Sequence, residues 1–245
     1  MLIVGGDVDH NHVFNEVEKL YGDWKSSDFD PFKKWLIPEF KPLKKSDYFV
    51  WESKSAKIPV ISIEWQGPDT RNDIQSTYAA DVFSYILNLK TSKLSAALLQ
   101  SGLAFSVNIG YLTLRHVGPI NLLVRPNPSR VNECMDEIKK QIALMDNDDY
   151  LSNEQIQIAK RTLEIKKVRQ EEITSDYVHT LAFWWASASM NYFMGYNQNL
   201  NKVSRADIKS YVQKYIKNRP YCAGLLISPE LKSQINPGTF FTADH

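Results

Sequence analysis

Residues 94–111, LSAALLQSGLAFSVNIGY, decide how this 245-residue chain is read. A short helical run from Leu94 to Gln100 meets a glycine stop at Gly102, and a strand with period-two alternation follows. Phe105, Val107, Ile109 and Tyr111 fall on one side of that strand, with Ser106, Asn108 and Gly110 on the other.

The pattern continues in both directions. Downstream, Val117 to Val124 supplies a strand that can pair with the first across a turn near His116. Upstream, Tyr48 to Glu52 and Val60 to Trp65 read as two more strands. In the second, Ile61, Ile63 and Trp65 face one way and Ser62 and Glu64 the other, and Gly67-Pro68 closes it. Ile74, Tyr78, Val82, Tyr85 and Ile86 recur at helical steps and predict a long amphipathic helix with one buried stripe. Val131, Met135, Ile138 and Ile142 mark the next helix. Ser152 and Gln155 form a capping box ahead of Ile156, Ala159 and Leu163.

Residues 177–193, rich in aromatics, read as one helix. Val203, Ser204, Asp207 and Ile208 fit a stapled and capped helix start, before Val212, Tyr215 and Ile216. Tyr221 to Ile227 makes a closing strand ended by Pro229. Long helices with few strands between them predict an α+β class: a mostly antiparallel sheet packed with helices.

The amino-terminal stretch LIVGGDVDHNHVFNEVEKLYGDW has a strand-to-helix grammar. Gly5 and Gly6 mark the turn, Asp9 the helix cap and Gly22 the helix end. Met1 leads directly into what reads as the middle of a strand, so the chain is expected to be a piece of something longer. Pro31, Pro38 and Pro42 mark an extended connector. The expected organisation is a strand-helix tail of a preceding unit over 1–30, a connector over 31–45, a domain over 46–235 and a tail over 236–245.

A chain of this length buries a core without needing disulfides or metal. Its formal net charge of +1, with both signs interspersed, gives no field for nucleic acid or an anionic membrane. No run of about twenty apolar residues is present to span a bilayer. Cys134 and Cys222 match no metal or redox spacing and read as buried free thiols. The residues assign no compartment, and a periplasmic placement would need an export signal upstream.

Helix, Gly102, then Leu103-Ala104-Phe105-Ser106-Val107 resembles the second half of the insulinase/pitrilysin family of zinc peptidases. There the motif runs Leu-Arg-Glu, a few residues, then Gly-Leu-Ala-Tyr-Ser-Val, and its arginine and tyrosine help hold substrate in the catalytic centre. On that spacing Leu98 takes the arginine position and Phe105 the tyrosine position. A shift by one residue, to Ala97 or Leu99, restores no arginine. Val4 to Asp9 with the helix after it is similar to the family's Val-Gly-Asp-Val-Asp segment. Gly67-Pro68 with Asn72-Asp73, and Asn201 to Ile208, are similar to further segments of the second domain.

The resemblance implies a metallopeptidase half-domain, the inactive second (C-terminal) one, in which two halves close around an unfolded peptide and one half carries zinc. It implies as partners a zinc-bearing peptidase domain or homologous subunit and an extended peptide substrate, with a homodimer as another arrangement. Phe105, Ser106 and Asn108 become the expected peptide contacts, with no catalytic residue. The rival reading is a structural or assembly subunit, like the core subunits of the mitochondrial respiratory complex that resemble the same family.

The family's zinc chemistry needs His-x-x-Glu-His on one helix, which places both ligands on one face with the glutamate beside the metal. None of His10, His12, His116, His179 and His245 sits in that motif. No cofactor is therefore expected in this chain, with zinc only in a partner or upstream domain. His10 and His12, two residues apart on a helix, would point roughly 200 degrees apart. Asp146, Asp148 and Asp149 lack the glycine and distal glutamate of a calcium loop and read as a solvated turn. Glu64 reads as an outward strand residue, and Glu171 and Glu172 as solvent charges. Trp184 and Trp185, adjacent on a helix, cannot both face one core, so one of them is expected to meet a partner domain. No nucleophile elbow, phosphate loop or dinucleotide fingerprint is present. Leucine offers no donor and phenylalanine drops the hydroxyl, so the chain alone is expected to cleave no peptide.

Overall fold

The alternating segments assemble into one five-stranded sheet in the computed structural model, which describes residues 2–242. The strands are β1 (Asp47–Glu52), β2 (Val60–Gly67), β3 (Ala104–Tyr111), β4 (Gly118–Pro126) and β5 (Cys222–Ile227), in the spatial order β1-β5-β2-β4-β3. Three neighbouring pairs are antiparallel and β1 runs parallel to β5, so the sheet is mostly antiparallel as its patterning predicts. The helices are α1 (His10–Tyr21), α2 (Pro31–Lys34), α3 (Ile74–Leu87), α4 (Lys93–Ser95), α5 (Val131–Leu144), α6 (Asn153–Gln170), α7 (Thr174–Ser187), α8 (Met190–Lys202), α9 (Arg205–Tyr215) and α10 (Pro229–Lys232). His245 lies outside the described residues.

Helices cover one side of the sheet. Ile61, Ile63, Trp65, Ile109, Ile120, Leu122, Val124, Ala223 and Leu225 are buried there. Each large aliphatic chain withdrawn from water contributes about 1.5–3 kcal/mol. The sheet narrows where β2 meets β4: a Cβ on Gly118 would stand 2.0 Å from the carbonyl oxygen of Pro68 and 2.6 Å from the Tyr111 ring. Only glycine fits that approach.

α3 departs from the expected single stripe. Thr77, Tyr78, Ala79, Ala80, Val82, Phe83, Ser84, Ile86 and Leu87 are all buried, because the helix runs between the sheet and helices α6, α8 and α9. A helix enclosed on several sides has no solvated face to keep polar.

The expected helix over 177–193 is two helices. Ser189 caps α8 by accepting from the Tyr192 amide, and distant groups hold the break: Thr70 Oγ1 donates to the Ser187 carbonyl at 2.9 Å and Arg115 Nη2 to that of Ala188 at 3.0 Å. Both predicted capping boxes are present, Ser152 with Gln155 and Ser204 with Asp207. Trp184 stacks on Tyr192 with ring centroids 5.1 Å apart, while Trp185 is exposed.

The expected amino-terminal strand is absent, because none of the five strands takes Leu2 to Val4 into a ladder, and Leu2 and Val4 are exposed. Asp9 does cap α1, whose described side chains include none that is buried. The connector is extended apart from the single turn of α2. At the other end, Phe240 and Phe241 join the core, Phe241 stacking on Tyr48 at 5.3 Å.

The acidic turn after α5 is solvated at Asp148 and Asp149, whose side chains are 80% exposed, and also carries ion pairs. Asp146 pairs with Lys217, Asp148 with Lys209 at 2.7 Å and Asp149 with Lys93 at 2.7 Å, tying α9 and α4 to one turn. The Lys217 ammonium beside Asp146 holds that carboxyl below its usual range. Cys134 is buried and Cys222 half-buried, both free, and burial pushes the Cys134 thiol up to about 12. Among the described residues no helix is long and apolar enough to cross a membrane.

Candidate functional site

Strand alternation that buries one side of a sheet displays the other. Here the displayed side has a polar floor and aromatic rims. On β2 and β4, Asn121 Nδ2 donates to Ser62 Oγ and to Glu64 Oε1, both at 3.1 Å. At the β1 edge stand Phe49 and Trp51, both exposed, and at the β3 edge Phe105, which is 60% exposed. Five strands span roughly 19 Å from edge to edge, wide enough for a polypeptide to lie along or across them.

Phe105 reaches this face through a bulge. Ala104 pairs with Pro126 and Ser106 with Arg125, so Phe105 is the extra residue between them. The expectation that Phe105 shares a side with Val107, Ile109 and Tyr111 fails for that reason. Two residues of a bulge oppose one on the partner strand, and the extra one turns outward beside Ser106. Asn108 is exposed and Ser106 half-buried on the same open face, so the three expected contact residues are brought together. Leu98 is not among them. It lies in a π-helical turn, Ala96–Gln100, and is fully buried in the core, with Ala97 and Leu99 half-buried on either side.

Three features of this face escape a reading of the sequence. Arg125 lies directly across from Ser106 and is exposed, at the bulge that carries Phe105. Alternation along β4 would have found it. Asn88, just past α3, occupies the outer edge of β3: its Nδ2 donates to the Ile109 carbonyl at 2.6 Å and its Oδ1 accepts from the Ile109 amide at 3.1 Å. One side-chain amide thereby makes both bonds that a paired strand would make. Antiparallel alternation aims the backbone groups of Val107 to the same outer side. Phe49 lies over Gly224, where a Cβ would come within 2.4 Å of the ring.

Behind the sheet, Asp81 on α3 accepts from the Tyr196 hydroxyl at 2.7 Å. Burial pushes this carboxyl up to about 7, and the hydrogen bond from Tyr196 opposes the shift only in part. The phenols of Tyr192 and Tyr196 are themselves raised, first by burial and then by the nearby Asp81 charge.

The described residues do not fit a zinc centre. No three His, Cys, Asp or Glu side chains among them converge to hold a metal ion. His10 and His12 are exposed at the start of α1, and His179 is exposed on α7.

Residues 1–163 match the family model described as the Peptidase M16 inactive domain. The chain belongs to the M16 peptidase family. This is the insulinase/pitrilysin type of fold that the motif around Gly102 implies. A protease from Helicobacter pylori superposes with a TM-score of 0.78 at 17% identity, over 91% of this chain and 53% of that one. The inactive peptidase domain of a Bordetella parapertussis protein superposes at 0.62 and 15% identity, over 69% of this chain and 90% of that one. Complex III2 from Candida albicans contains a chain at 0.68 and 13% identity, over 96% of this chain and 56% of that one. No curated protein matches in sequence. The M16 chain described here spans about half the length of the Helicobacter structure and of several others it matches.

Proposed function

We propose that this inactive M16 domain forms one wall of a peptide-enclosing chamber whose zinc-bearing wall is another domain or subunit. The observation that carries the reading is the open sheet face. Its polar floor at Ser62, Glu64 and Asn121, with Phe105 and Arg125 at one rim, supplies directed hydrogen-bonding groups and aromatic surface. Such a surface suits an extended polypeptide, whose backbone needs polar partners while its side chains need apolar ones. The described residues hold no cluster that could bind a metal ion, and the part proposed for this wall is binding and confinement, which raise the effective concentration of substrate at a second, catalytic wall.

The test begins with the reading frame and its neighbours: a His-x-x-Glu-His sequence should be encoded beside this chain. The purified chain should hold no stoichiometric zinc and cleave no fluorogenic peptide. Mixed with the zinc-bearing partner, it should restore chelator-sensitive cleavage. Zinc bound one-to-one by this chain alone, or full cleavage by the partner without it, would overturn the proposal. If no such motif is encoded nearby, the assembly-subunit reading takes its place.

A further inference from the structure

A cavity of about 1400 Å³ lies at the end of the sheet where β2 runs out at Gly67 and β3 turns back into β4. It is at the opposite end of β3 from Phe105, about 20 Å along the strand. Its lining includes Leu36, Phe40 and Leu43 from the connector and three arginines, Arg71, Arg115 and Arg219, from three separate segments.

These cations are largely unspent. Arg115 uses Nη2 on the Ala188 carbonyl, and Arg219 uses Nε on that of Gln213. Among the described residues the Arg71 side chain has no hydrogen-bond or ion-pair partner. A guanidinium has five N–H donors, so most of these have no acceptor from the protein and are open to a ligand. Two acids line the space. Asp69 is committed to its own turn, accepting from the amides of Arg71 and Asn72 and from Asn72 Nδ2. Asp69 keeps its charge, so with Glu39 two carboxylates face three arginines, and Lys214 is matched by Asp73; positive charge is in excess. With a net charge of only +1 for the whole chain, this is a local concentration of positive charge.

Gln66 holds the connector against the sheet here, its Nε2 donating to the Phe40 carbonyl at 3.2 Å. The site therefore lacks two things: an anion for the guanidiniums and an apolar group for the connector side chains. A C-terminal apolar residue carries both on one Cα.

We propose that the cavity binds the C-terminal carboxylate of a peptide ending in an apolar residue, with the carboxylate on the guanidiniums and the side chain against Phe40 and Leu43. The ligand class rests on the peptide-chamber reading above; the charge does not.

The test is fluorescence anisotropy on the 245-residue chain, with a labelled peptide ending in leucine as the free acid or as the C-terminal amide. The free acid should bind roughly 10-fold more tightly, the scale of a charge-assisted hydrogen bond. That preference should shrink toward unity in Arg71→Gln and in Arg219→Gln, two exposed sites whose thermal unfolding should be unchanged. Asn121→Ala on the open face should weaken acid and amide equally. Equal binding of acid and amide by the wild type would overturn this subsite and leave the chamber reading standing, whereas binding of neither would overturn both. An amidated peptide with an internal glutamate binding as tightly as the free acid would remove the terminal carboxylate from the assignment.

Discussion

On the helix-covered side of the sheet Ile61, Ile63, Ile120, Leu122 and Leu225 are fully buried, whereas the same strands turn Ser62, Glu64, Asn121 and Arg125 outward on the other. Consecutive residues thus answer to different demands. The first set is held by packing, where a lost methylene or a buried charge is felt through the whole domain. The second set costs the fold little to change and is free to be shaped for a ligand. The two positions carried over from the family motif fall on opposite sides of this division, Leu98 in the core and Phe105 on the open face.

Leu98→Arg tests that division most severely. An unpaired guanidinium in a fully buried position costs roughly 3–5 kcal/mol, so the melting temperature should drop by about 10 °C or more. Ala97→Arg and Leu99→Arg, at half-buried positions, should be far milder. Differential scanning fluorimetry of the three variants decides it. If Leu98→Arg melts with the wild type, position 98 has access to solvent and belongs with the functional face after all.

Asp81 divides the buried side itself, as a titratable group set among apolar and phenolic ones. Its folded pKa of about 7 stands above the ordinary 3.8. Between those values the unfolded chain has released a proton that the folded chain keeps, so each step up in pH favours unfolding. Stability from this group is complete below about pH 4 and lost as pH rises through about 7, with a slope approaching 1.4 kcal/mol per unit at its steepest. Urea unfolding at pH 5, 6, 7 and 8 should show that decline, and Asp81→Asn should flatten it. A wild type that gains stability over this range would show that the carboxyl is ionised and well solvated.

At the boundary between the two sides stands Asn88. Asn88→Ala removes both bonds to the Ile109 backbone and should cost about 1–2 kcal/mol by urea unfolding. It should also speed amide exchange at Ile109, a readout that a loss confined to the α3 terminus would not move.

Much of the buried side could be read from residue order, and the reasons are physical. Period two in Val60 to Trp65 and the capping boxes at Ser152 and Ser204 are local patterns with local causes. Features set by distant partners could not. β5 enters between β1 and β2 from residue 222, and the α7–α8 break depends on Thr70 and Arg115. Simple alternation puts Phe105 on the wrong side, because a bulge shows only when its partner strand is known. The arginine cavity gathers three segments that share no spacing.

Phe105→Tyr should have the smallest effect on the fold and the most direct bearing on function. The ring is 60% exposed on the open face, so a hydroxyl added to it meets water and leaves stability within about 0.5 kcal/mol of the wild type. Under the proposed peptide-binding role, the same hydroxyl would add a hydrogen-bond donor to the open face at the bulge opposite Arg125. If the face contacts extended peptide, Phe105→Tyr should tighten binding of a neutral peptide by a few-fold in anisotropy titrations, and Arg125→Gln should weaken it by a similar factor. If neither substitution moves the affinity while Asn121→Ala does, the peptide lies along β2 and β4 and the bulged rim of β3 is only its border.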